Sequence, residues 1–178
     1  MMRRGAAAAP RWAAPVTLAL GVAGLAVSAY LTYVHYTEPT ALSCPDTGVV
    51  NCVKVTTSPQ SMLFGTIPVA VSGLVFFVGM GLLCLPAAWR SPVLLVQRLR
   101  LAGAVGGVGM VLYLVYAEAV QVGAICLWCT AVHVIAFLLF VAVLAATVLT
   151  TEPEMRVAGG AGGPRRQPRP AAARRRTS

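Results

Sequence analysis

The chain has 178 residues, of which 58% are hydrophobic and only 11% charged, against about a quarter charged in an ordinary soluble domain, so a water-soluble globular fold is excluded. A net charge of +9 would suit a nucleic-acid binder if it formed one patch, yet 13 of the 14 basic residues fall into three clusters, Arg3 to Arg11, Arg90 to Arg100 and Arg156 to Arg176, separated by apolar blocks. The positive-inside rule puts those clusters on the cytoplasmic side, which leaves no role for nucleic acid as a partner and makes the lipid bilayer the first one.

Residues 1–12 are read as a cytoplasmic N-terminus. Residues 13–34 carry no charge and, at about 1.5 Å per residue, cover a hydrocarbon core of about 30 Å, which predicts a first span. A cleaved signal peptide is the competing reading, since Arg3, Arg4 and Arg11 resemble an n-region, but three more apolar blocks follow. Residues 35–61 hold Pro39, Pro45, Pro59, two cysteines and the single lysine, Lys54, and are expected to form an outer loop. Residues 62–86 are again uncharged, with Gly65 and Pro68 near their start, and predict the second span. Between Ala87 and Arg100 the run SPVLLVQ is too short to cross and is expected to lie along the cytoplasmic interface.

From Leu101 to Leu149 Glu118 is the one formal charge, and a single helix of that length would far exceed the bilayer. The chain must turn back, and Glu118, Gln121 and Gly123 place that reversal at 118–124 on the outer face. The third span is then 101–117 and the fourth 125–149. Residues 150–178 are rich in Gly, Pro and Arg and are expected to be a disordered basic cytoplasmic tail. The predicted fold class is therefore all-α integral membrane, a four-transmembrane-helix bundle with an extracytoplasmic cysteine-bearing loop and both termini cytoplasmic.

This topology sorts the cysteines. Cys44 and Cys52 fall in the outer loop, Cys126 and Cys129 open the fourth helix at the same face, and Cys84 sits at the inner end of span two as a small buried apolar residue. Disulfides persist outside the cytoplasm. Cys126-Leu127-Trp128-Cys129 is a CxxC without the alternating strands and helices of soluble thioredoxins. At a helix start its sulfurs share a face and the positive helix end favours a thiolate. Three residues of rise set Cys129 about 4 to 5 Å deeper than Cys126, so Cys126 is placed to exchange with an outside thiol and Cys129 to meet a lipid-soluble partner. His133, one turn beyond Cys129, puts a hydrogen-bonding group on that face within the bilayer.

Four features together resemble the vitamin K epoxide reductase (VKOR) family, its bacterial members above all. The loop pair has seven intervening residues, CPDTGVVNC, and Ser58 stands six after Cys52; FGTIP, from Phe64 to Pro68, opens the second span, with Gly73 beyond; CLWC opens the fourth helix with His133 following. The resemblance runs from about Tyr30 to Leu149. It implies a four-helix bundle around a quinone pocket capped by the cysteine-bearing loop. By position, Cys126 and Cys129 resemble the active-site pair and Cys44 and Cys52 the shuttle pair, with Cys52 the partner in a transient disulfide to Cys126. Ser58, Ser61, Phe64 and His133 are the implied quinone contacts; His133 stands where animal relatives have a tyrosine and Ser61 where they have a quinone-binding asparagine.

The implied activity is that of a quinone-dependent, disulfide-generating oxidoreductase of a bacterial cytoplasmic membrane, active at its outer face, with menaquinone or ubiquinone as acceptor. The fourth span is expected to carry no fused thioredoxin-like domain after it, and the implied partner is a separate DsbA-like, thioredoxin-fold protein. Reduction of a quinone or quinone epoxide, as in animal relatives, is an alternative. A membrane metal-binding protein with four thiolate ligands is another, but the loop spacing is wide for such a site and the outer location favours oxidation. A structural tetraspan stapled by the loop disulfide leaves the second pair unexplained, and the DsbB type carries its CxxC in the first outer loop.

Overall fold

A computed structural model describes residues 9–38 and 42–160, with side chains to Thr150; Pro39, most of the N-terminal stretch and the tail from 161 lie outside the described residues. Helix α1 spans Ala13–Thr37. Its hydroxyls cost little in an apolar setting, because Thr17, Thr32 and Thr37 each donate to the carbonyl four residues back, at 2.7, 2.7 and 2.9 Å. It ends where Glu38 turns extended (φ −144°), the conformation that a following proline imposes. The outer loop then carries a short helix, α2 (Cys52–Thr56), capped by Asn51, whose side chain accepts from the Lys54 amide at 2.8 Å. A 3₁₀ turn follows at Pro59–Ser61.

Residues 62–68 depart from the predicted span. They form a hairpin of β1 (Met62–Leu63) and β2 (Ile67–Pro68), antiparallel with Met62 opposite Pro68. Phe64 and Gly65 both take positive φ, 52° and 70°, and the Thr66 amide closes the turn on the Leu63 carbonyl at 3.1 Å. Pro68 then precedes α3 (Val69–Leu83), a shorter apolar helix of 15 residues that ends against Cys84.

The inner connection holds α4 (Pro86–Arg90), and α5 (Leu94–Tyr116) begins earlier than the predicted 101. Within SPVLLVQ, Pro92 stands just ahead of the helix and nothing in LLVQRLR breaks it, so Leu94 to Gln97 supply its first turn. Arg100 is buried, stacks its guanidinium 3.4 Å from the centre of the Trp89 ring and donates to the Leu83 carbonyl at 3.2 Å. Trp89 in turn donates to Thr17 Oγ1 at 3.3 Å, which ties α1, α4 and α5 together at the inner end.

Nor does α5 stop at 117. A π-helical turn at Ala117–Val122 carries it on, and Gly123, left-handed at φ 63°, ends it with its amide on the Glu118 carbonyl. The reversal therefore occupies 123–126, and α6 runs over Leu127–Gly160, past the predicted end at 149. The part of the predicted disordered tail up to 160 is helical; the rest lies outside the described residues.

Three helical segments, Ala13–Thr37, Leu94–Val122 and Leu127–Thr150, are long and apolar enough to cross a membrane, and α3 is the shorter fourth apolar helix. Their outward faces show Val22, Val75, Leu82, Leu112, Phe137 and Val141 largely exposed, a surface suited to lipid rather than water. Inside, Phe77, Met80, Cys84, Ala104, Leu139 and Val143 form the middle core, and Leu31, Val34, Cys52, Val55 and Cys126 the outer one.

Candidate functional site

The outer core contains all four outer cysteines. Cys52 and Cys126 are fully buried within it, and Cys44 and Cys129 pack against it half-buried. Cys44 and Cys52 form a disulfide with Cα atoms 6.0 Å apart, while Cys126 and Cys129 are free thiols. With Cys44 and Cys52 joined to each other, they cannot serve as thiolate ligands in this state.

Backbone pairing brings the loop to the CxxC. Val50 and Ile125 form a parallel bridge in which the Ile125 amide donates to the Val49 carbonyl at 2.9 Å and the Asn51 amide to the Ile125 carbonyl at 3.1 Å. Cys126 follows Ile125 directly and Cys52 stands two residues after Val50, so the bridge sets the two cysteines beside each other in the outer core. On the other side of the disulfide, Trp128 Nε1 donates to the Ser43 carbonyl at 3.2 Å and its ring leans on Tyr30, centroids 4.9 Å apart. The loop is thus tied to the start of α6 both before Cys44 and just before Cys52. A cleft of about 380 Å³, lined by Cys44, Asp46, Asn51, Cys52 and Lys54 among others, reaches the Cys44 end of the disulfide, the less buried of its two residues.

Cys126 is the N-cap of α6: its Sγ accepts the Cys129 amide at 3.2 Å, in the role an N-cap serine or asparagine oxygen usually plays. An amide donor and the positive helix end both face that sulfur, which stabilises negative charge on it. The Cys126 amide is held in turn by Glu118, whose Oε2 accepts it at 3.2 Å.

Beneath this cap lies a cavity of about 470 Å³. Cys129, His133, Ser58 and Ser61 line it and Cys126 does not, so the two sulfurs of the CxxC differ in access as their helical rise predicts. Phe64, expected as a quinone contact, is absent from the wall: it is 96% exposed at the hairpin tip, because the left-handed turn directs its side chain away from the bundle. Leu63 and Pro68 line the cavity from the same hairpin instead.

Four of the wall's five hydroxyls, all but that of Ser28, donate to backbone carbonyls. Ser58 donates to the Val55 carbonyl, Ser61 to Ser58 and Ser72 to Val69, all at 2.7 Å, and Thr56 to Cys52 at 2.9 Å. Each hydroxyl has one proton, so in this arrangement these four can offer a ligand carbonyl no donor. The wall groups whose N–H can turn to a ligand are the His133 and His35 imidazoles and the Gln60 amide. Gln60 and Glu118 were not singled out by the sequence: Gln60 had no motif around it, and Glu118 read as a polar marker of the reversal, whereas it is buried and part of the cavity wall.

The sequence profile of the vitamin K epoxide reductase family matches residues 15–144. The chain belongs to that family. No curated protein matches the chain. VKOR membership makes this a membrane oxidoreductase of a family that uses quinones, and the matched stretch contains both cysteine pairs, the cavity and all four apolar helices up to Leu144.

Proposed function

We propose that this VKOR-family protein reoxidises an extracytoplasmic thiol protein through Cys44/Cys52 and then Cys126/Cys129, and passes the electrons to a quinone in the 470 Å³ cavity. The observation that carries the reading is the division of the four cysteines. The disulfide opens to a surface cleft, the deeper thiol lines an apolar cavity, and the two buried sulfurs lie between them in one cluster. Such a series connects a protein in water to a substrate in lipid. In this reading four spans cross a bacterial cytoplasmic membrane, with the capping loop outside and both termini inside.

Thiol exchange gives the order. The partner's thiolate attacks Cys44, the more exposed sulfur of the disulfide, and frees Cys52. Cys52 attacks Cys126 of the oxidised inner pair and releases Cys129 as a thiolate. The partner's second thiol closes on the first and leaves as a disulfide, freeing Cys44, which closes on Cys52 and releases Cys126. Two electrons, and the two protons lost by the partner's thiols, then rest on the inner pair as free thiols while the loop pair is again a disulfide, the state seen in this structure. Cys129 delivers them to the quinone and re-forms its bond to Cys126. A separate DsbA-like, thioredoxin-fold protein suits the cleft at Cys44, and menaquinone or ubiquinone suits the apolar cavity.

Purified protein, a reduced thioredoxin-like dithiol and a soluble quinone provide the test, followed by quinone absorbance. Native protein should turn over. Cys129→Ala should abolish turnover and accumulate a Cys52–Cys126 disulfide visible on a non-reducing gel. Turnover persisting in Cys129→Ala, or none in the native chain, overturns the reading.

A further inference from the structure

We infer that Glu118 is the proton acceptor of the inner dithiol, an inference that rests on the quinone-reducing reading above. Oxidising Cys126 and Cys129 breaks two S–H bonds and forms one S–S bond. Two electrons pass to the quinone, and two protons must reach its two oxygens. The cavity in which this happens is lined mostly by apolar side chains, and its Thr56, Ser58, Ser61 and Ser72 hydroxyls are bonded to backbone carbonyls. A proton leaving a sulfur therefore needs a base built into the wall.

Glu118 is the carboxyl of that wall and is 7% exposed. Its Oε2 accepts the Cys126 amide at 3.2 Å, and the Cys129 side chain lines the same cavity. The other titratable groups that face the cavity are Cys129 and His133 from α6 and His35 from α1. Neither lysine nor arginine is among the lining residues, and α2, the 3₁₀ turn, α3 and α5 bring no charged group to it. The backbone fixes the position of Glu118: its carbonyl accepts the Gly123 and Ala124 amides, the latter at 3.2 Å, across the π-helical turn.

A purely structural role would be to cap the reversal by holding the Cys126 amide. A neutral amide side chain performs that task without placing an ionisable group in a low-dielectric wall that offers no cation. What a carboxyl adds is proton exchange. As the Cys129 sulfur gives up its electrons, its proton moves to Glu118 and on to the near quinone oxygen. When Cys126 closes on Cys129, the second proton takes the vacated carboxylate to the second oxygen. Hydroquinone leaves with both protons and both electrons, and the protein returns to two disulfides.

Glu118→Gln separates the two roles, since its amide oxygen can still accept the Cys126 N–H. Two rates are measured on the full-length protein: quinone reduction across pH, and reduction of the Cys44–Cys52 disulfide by an external dithiol without quinone. The expectation is a fall of about 10²-fold in quinone reduction, loss of the pH dependence that the native protein shows in that step, an unchanged loop-pair rate, and partial rescue in Glu118→Asp. Quinone reduction at the native rate with the native pH profile overturns the inference. An equal fall in both rates also overturns it, as it marks Glu118 as a structural cap. If native protein reduces no quinone at all, the functional reading itself has failed, an outcome distinct from either.

Discussion

Lining a cavity and being free to bond a ligand within it are different properties of a side chain. Ser61 has the first, but its one proton is given to the Ser58 carbonyl at 2.7 Å. His133 is buried in the same wall one turn from Cys129 and brings a ring N–H suited to a quinone oxygen. Removing Ser61 Oγ should therefore change quinone affinity little, whereas removing the imidazole should cost one hydrogen bond, about 0.5 to 1.5 kcal/mol, or roughly 2- to 13-fold. Steady-state KM for a soluble quinone in Ser61→Ala and His133→Phe checks this, and the reverse order of effects would return the donor role to the serine. Phe64→Ser, at the exposed hairpin tip, should leave the same KM unchanged.

At the level of elements, the loop that carries the disulfide is held by few bonds, and those bonds control how often Cys52 meets Cys126. Trp128→Phe keeps an aromatic ring against Tyr30 but removes the donor to the Ser43 carbonyl. A loss of about 1 kcal/mol should lower the share of Cys52–Cys126 disulfide trapped in a Cys129→Ala background about fivefold, read on a non-reducing gel; an unaltered share would mean that the Val50–Ile125 bridge alone holds the loop. Composition makes long elements legible and leaves their joints hidden. Helices α1 and α6 could be read because twenty uncharged residues in a row have few alternatives to crossing a bilayer. The hairpin at 62–68 could not, since its residues are as apolar as a span and only the backbone at Phe64 and Gly65 differs. The π-helical turn hid Glu118 likewise: a charge beside Gly123 reads as a surface reversal, and only the extra residue per turn carries it inward. In the site, the cysteines were legible because thiol chemistry confines them to few spacings. The hydroxyl bonds were not, because any serine can point at its own helix or at a ligand.

Across the whole molecule the cavity exists because α3 and α5 approach closely in one place and leave space beside it. At Gly107 a Cβ would stand 2.6 Å from the Phe76 ring, and both residues are part of the cavity wall. Gly107→Leu must push its side chain into that space or displace Phe76 into it. The substitution also raises helix propensity by roughly 1 kcal/mol, which offsets part of the overpacking cost of about 1 to 3 kcal/mol, so a folded protein is expected. The disulfide and its cleft lie on the outer cap, held by the Val50–Ile125 bridge and the Trp128 bond to the Ser43 carbonyl. Filling the cavity should thus raise the quinone KM at least about tenfold, the effect of some 1.4 kcal/mol, while reduction of Cys44–Cys52 by an external dithiol keeps its native rate. Both quantities are measurable on one preparation. If they fall together, α5 has moved the cap and the two half-reactions share more of the fold than the loop contacts indicate; if neither changes, the quinone is reduced somewhere other than beside Gly107, and the path from the cleft to Cys129 would have to end at the lipid-facing surface of α6.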